Sequence, residues 1–121
     1  MTTQAETYTH IVGSRPLEYP WYQEVDISPD DWTLDDSAYD GWSVRMSVGA
    51  EDDTPVSFVL NHATVMDAAR AMVQPGVGCG CSSNATEEAR LLLSSPDDCD
   101  FDSDTADQLI QVAVFGKVVY G

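Results

Sequence analysis

The stretch from Trp42 to Val73, WSVRMSVGAEDDTPVSFVLNHATVMDAARAMV, constrains the fold more than any other part of the chain. Trp42, Val44, Met46 and Val48 alternate with Ser43, Arg45, Ser47 and Gly49. That is the period of two of a strand with one apolar face. Val56, Phe58 and Leu60 repeat it, with Ser57 and Val59 on the other side. The linking GAEDDTP carries turn residues and is too long for a two-residue hairpin, so its acidic tip is expected in solvent. Asn61 then stands where it can cap a helix. Val65, Ala68, Ala69, Met72 and Val73 form its apolar stripe, and Asp67 and Arg70 an i,i+3 pair on the other side. Gln74-Pro75-Gly76 ends it. Two strands with one apolar face, followed by a helix with one apolar stripe, predict an α+β fold: a small antiparallel sheet of three to four strands with two to three helices packed on one face.

The flanking segments fit that plan. A chain of 121 residues reads as one domain, 1–121, with a loose N-terminus at about 1–7. Tyr8 to Val12 is expected as a short strand. Trp21, Gln23, Val25 and Ile27 alternate with Tyr22, Glu24 and Asp26 and predict another strand. Ser28-Pro29-Asp30-Asp31 has the form of a short helix start, with Ser as cap and Pro in the first turn. Asn84 with Glu87 suggests a capping box for a helix whose stripe is Ala85, Ala89, Leu92 and Leu93, ended by Pro96. Ala106, Leu109, Ile110, Ala113 and Val114 predict a last helix from about Asp104 to Phe115, broken at Gly116. The β-branched Val112 to Tyr120 keeps a strand open for part of that segment.

Charge excludes more than it identifies. The chain has 21 acidic and five basic residues, a formal net charge of −16, while 43% hydrophobic content is enough for a core. Direct nucleic-acid binding needs Lys and Arg against phosphate, so it is not expected, and anionic membranes are disfavoured for the same reason. The N-terminus lacks a signal-peptide pattern and no apolar run has the length of a span, so a cytoplasmic protein is expected.

No catalytic or metal motif matches its required spacing. Cys79-Gly80-Cys81 with Cys99 and His62 or His10 lacks the paired spacings of zinc sites, and thiols that simply pack are expected instead. No positive charge adjoins the cysteine pair to lower a thiol pKa. Asp100-x-Asp102-x-Asp104 begins like a calcium loop, but Thr105 and Gln111 stand where Gly and Glu are required. The paired aspartates lie in polar loops, where nothing separates their pKa values for acid–base work. No enzyme, cofactor or metal is therefore expected.

What remains is the interleaving of aromatics and acids over residues 18–42, EYPWYQEVDISPDDWTLDDSAYDGW. Tyr and Trp anchor interfaces, and dense carboxylates steer a chain toward a basic surface. The candidate partner-binding residues are Trp21, Tyr22, Asp30, Asp31, Trp32, Asp35, Asp36, Tyr39 and Asp40, with Asp52 and Asp53 at the hairpin tip. In composition the chain resembles phage-encoded anti-defence and DNA-mimic proteins: short, strongly acidic and without an enzyme motif. No family motif is matched residue by residue, so no site is carried over. The resemblance implies an inhibitor that occupies a basic protein surface, such as that of a host nucleic-acid-binding protein. Two alternatives stand beside it. One is a salt-adapted domain whose acidity reflects solvation. The other is an oligomeric accessory protein whose aromatics form a self-interface.

Overall fold

The structure, a computed structural model, describes residues 2–31, 33–49, 54–74 and 80–120. The alternation that begins at Trp42 forms β2 (Ser43–Val48) and β3 (Val56–Asn61), and Tyr22–Ser28 forms β1. The strands pair antiparallel in the order β1-β2-β3. Val44 faces Leu60, Met46 faces Phe58 and Val48 faces Val56 on the inner side; Arg45 faces Val59 and Ser47 faces Ser57 on the outer side. A period-two pattern thus becomes one covered and one open sheet face.

The covering layer is helical. Short α1 (Gln4–Thr7) leads into a π-helical turn at Tyr8–Val12, and α2 (His62–Val73), α3 (Ser83–Ser94) and α4 (Ser103–Phe115) complete it. Asn61 caps α2, its side chain accepting from the Thr64 N–H. Val65, Ala68, Ala69 and Met72 bury the stripe read from the sequence, and Ala85, Ala89 and Leu92 do so in α3. Gly116 ends α4 in the left-handed region at φ 78°. The core joins Tyr8, Ile11, Trp42, Val44, Leu60, Val65, Leu92, Leu109 and Ile110, each at most 1% exposed. Burying one such aliphatic side chain is worth about 1.5–3 kcal/mol.

Four local expectations are corrected. Residues 4–12 are helical rather than a loose end followed by a strand. The cause is a capping box, Thr3 with Glu6, and the spacing of Tyr8, Ile11 and Val12, which puts one side of the turn in the core. In β1 the alternation slips: Tyr22 is buried, yet Val25 and Ile27 are the next inward residues. A bulge between Gln23 and Asp26 absorbs the extra residue, with Glu24 at φ 53°. Ser28-Pro29 does not start a helix; Ser28 ends β1, and the short helical piece is a 3-10 turn at Asp36–Tyr39. In α3 the cap is Ser82, accepting from the Ala85 N–H, while Glu87 pairs with Arg90.

The thiols also differ from expectation. Cys81 is disulfide-bonded rather than a packed thiol, and Cys99 is free and buried. Cys79 lies outside the described residues. No helix of the described residues is long and apolar enough to cross a membrane.

Candidate functional site

The aromatic and acidic run does not form one surface, because β1 divides it. Chain direction shows why. β1 runs from Tyr22, beside Val48, to Ser28, beside Ser43. Residues before β1 therefore lie at one end of the sheet, and residues after it at the other. Ser43 to Val48 spans about 17 Å at strand rise. β2 leaves the sheet toward the hairpin tip at the end opposite Asp30–Asp40. Trp32, Asp52 and Asp53 lie outside the described residues.

The end beyond Ser28 carries the acids. The loop from Pro29 to Gly41 exposes Asp30, Asp31, Asp35, Asp36 and Asp40. Its own aromatic ties it down. Tyr39 is 4% exposed and stacks on Tyr8 at 4.4 Å, and Trp42 meets Tyr8 edge-on at 5.7 Å. The Tyr39 hydroxyl donates to the Asp31 carbonyl at 2.8 Å and accepts from the Leu34 N–H at 3.2 Å. The Tyr8 hydroxyl donates to the Pro29 carbonyl at 2.6 Å, and the Gly41 N–H donates to Gln4 Oε1 at 2.6 Å. The Thr33 hydroxyl and N–H both donate to Asp31, which holds its carboxyl below the usual range. Tyr39 is thus placed as a buried anchor of the loop.

Beneath this loop sits a polar knot that sequence reading missed. Trp42 Nε1 donates to Thr7 Oγ1 at 3.1 Å, and Thr7 Oγ1 lies 3.0 Å from His62 Nδ1. Burial, then the Arg70 charge, lowers the His62 pKa. Thr7 is wholly buried, so the arrangement is a structural tie between α1, β2 and α2 rather than an accessible nucleophile.

The opposite end holds Trp21 and Tyr22. Trp21 is half-buried in a stack, 4.8 Å from Tyr19 and 5.1 Å from Tyr120. Tyr22 is buried. Both serve Asp107 of α4: the Tyr22 hydroxyl donates at 2.6 Å and the Trp21 indole at 2.9 Å, each to Oδ1. Gln111 Nε2 donates to Oδ2 at 2.8 Å. Burial raises the Asp107 pKa despite these donors, and burial followed by the Asp107 hydrogen bond raises that of Tyr22. Gln111, fully buried, also fastens the C-terminal segment. Its Oε1 accepts from the Val119 and Tyr120 N–H groups at 2.7 Å each, and its Nε2 donates to the Tyr120 carbonyl at 3.0 Å. The only sequence signal for this network was two polar residues, i and i+4, in an apolar helix.

The remaining acidic loop is also structural in part. Asp102 caps α4, accepting from Thr105, and those hydrogen bonds lower its pKa. Among the described residues no group of three or more His, Cys, Asp or Glu is placed to hold a metal ion. Two ion pairs occur there, Asp67–Arg70 and Glu87–Arg90, so the five loop aspartates have no cationic partner within the described chain. Comparison with family models, curated proteins and solved structures finds no match.

Proposed function

We propose that the chain is a small non-enzymatic binding protein whose Pro29–Gly41 loop presents carboxylates to a basic protein surface, such as the nucleic-acid-binding groove of another protein. The observation that carries this reading is the anchoring of the loop. Asp30, Asp31, Asp35, Asp36 and Asp40 are exposed without an ion pair, on a backbone held by buried Tyr39 and Tyr8. A pre-ordered array loses less conformational entropy on binding than a flexible acidic tail, and its field speeds encounter. Trp21 and Tyr22 belong to the internal network at the other end and have no part in this surface.

The test is retention of nucleic-acid-binding proteins from a lysate on the immobilised chain at low salt, followed by elution with duplex DNA. The expected result is retention that DNA competes away and that five Asp→Asn changes in the loop abolish. Retention of nothing, or of proteins indifferent to DNA, refutes it.

A salt-adapted domain is the second reading. It is favoured by acids exposed on the loops and on β1, α2 and α3 alike, including Glu24, Asp26, Asp67 and Glu87. It predicts a melting temperature that climbs steeply into molar KCl; a chain fully stable without salt rejects it.

A further inference from the structure

The two edges of the sheet are built differently. β1 carries Glu24 and Asp26 and is broken by the bulge between Gln23 and Asp26. Charges and bulges on an edge keep further strands from pairing with it. β3 has neither defence. Its sequence VSFVLN contains no charge and no proline, and it pairs with β2 in unbroken register from Val56 to Asn61. Among the described residues, no backbone hydrogen bond joins Val56 to Leu60 to anything but β2. Val59 is 47% exposed, more than any other large hydrophobic side chain described. A groove of about 220 Å³ adjoins Phe58 on the helical side, floored by Ala68, Ala71 and Ala113.

We propose that β3 is a self-association edge, through which two copies of this chain pair antiparallel about a two-fold axis into a six-stranded sheet. Charge selects the occupant. An isologous interface brings each edge against itself, so a net charge there would repel its own copy. In a chain of net charge −16, this edge strand has none; Asp67, which lines the groove on the helical side, is paired with Arg70, and on the open face the Arg45 cation stands opposite Val59, with Glu24 and Asp26 beyond it. A basic foreign strand would gain nothing from this edge and would be drawn to the Asp30–Asp40 loop instead. Shape agrees. A copy of β3 laid along the edge carries its inward Val56 and Phe58 toward the alanine-floored groove, and its Val59 joins the outer row. The acidic loop plays no part in this pairing.

Sedimentation of the full chain, from micromolar to millimolar concentration and at several salt concentrations, tests it. A reversible monomer–dimer equilibrium is expected. Its dimer constant rises with salt, because the acids elsewhere on the two copies are screened once the Debye length falls to about 10 Å or less. Val59→Lys and, separately, Ser57→Lys weaken the dimer by roughly tenfold or more, since the two-fold axis puts each lysine on both strands of the new pair, opposite or diagonal to its own copy. Both side chains point outward, so circular dichroism is unchanged. Neutralising the five loop aspartates leaves the sensitivity to Val59→Lys intact, which separates this result from the fate of the binding proposal. A monomer at every concentration and salt, a dimer indifferent to both lysines, or open-ended aggregation overturns it.

Discussion

Replacing Asp107 by Ala tests the internal network most directly. The substitution removes the acceptor of three donors: the Tyr22 hydroxyl, the Trp21 indole and the Gln111 amide. Tyr22 and Gln111 are buried, and Trp21 is half-buried; without the carboxylate the Tyr22 hydroxyl keeps only the Asp107 backbone carbonyl at a long 3.4 Å, and the Gln111 amide keeps Tyr120 but loses the acceptor of its second hydrogen. Two buried donors left under-satisfied cost about 1–3 kcal/mol each. Removing a carboxylate that its surroundings disfavour returns part of that, which leaves an expected loss of about 2–4 kcal/mol. Against a typical domain stability of about 5–15 kcal/mol, that is a large fraction. Urea unfolding followed by tryptophan fluorescence measures it. Asp107→Asn separates charge from geometry. Its carbonyl can serve Trp21 and Tyr22, but its amide then meets the Gln111 amide donor to donor, so a smaller loss of about 1–2 kcal/mol is expected. The pH dependence has a definite sign. Burial raises the Asp107 pKa, so its contribution is most favourable below the unfolded value of about 4 and declines as pH rises through the folded one. The stability of wild type relative to the Asn variant should therefore fall over that interval and level off above it. A loss under about 1 kcal/mol for the Ala variant, or a difference that rises with pH, would refute the reasoning.

Four further outcomes are expected. Asp102→Ala should cost about 1 kcal/mol at neutral pH by thermal unfolding; because Thr105 depresses the Asp102 pKa, the loss should shrink as pH falls through that value, whereas Asn61→Ala in the α2 cap should show no such dependence. Gly116→Ala should cost about 1–2 kcal/mol through its left-handed φ of 78° alone, since a Cβ there meets nothing within 4 Å. Tyr39→Phe keeps the ring stack but frees the Leu34 N–H and the Asp31 carbonyl, so hydrogen exchange over residues 31–40 should accelerate and affinity for a basic partner should drop with no change in charge. The Cys99 thiol, buried and pushed up to about 11 by burial and Glu88, should alkylate at least roughly tenfold more slowly in the native chain than in urea, as read by intact mass.

The parts of the fold that periodicity governs were legible. Val44, Met46 and Val48 turn inward, Asn61 caps α2, and Gly116 stops α4 where the stripe runs out. Errors arose where one local signal masked another. Tyr8 to Val12 is expected as a short strand, although Thr3 and Glu6 upstream form a capping box that starts a helix. The β1 bulge turned an apparent alternation into two half-patterns of opposite phase, which no sequence period reveals. For the candidate site, exposure of Asp30 to Asp40 was readable from composition, but the role of the aromatics was not. Tyr22 bonds a buried carboxylate and Tyr39 ties its own loop to the core, and their partners, Asp107 at 85 residues' separation and the Tyr8 ring, are set by tertiary packing alone.

The grip of Gln111 on the tail has a kinetic corollary. Val119 and Tyr120 share a single acceptor oxygen, and the same amide group takes the Tyr120 carbonyl. Loss of that one side-chain position therefore frees both N–H groups together. Tyr120 leaves the face of Trp21 and the Gly49 carbonyl in the same event. Release of Val119 and Tyr120 is therefore expected as one cooperative opening rather than gradual fraying, with the fluorescence of the Trp21 indole as the measurement that reads it.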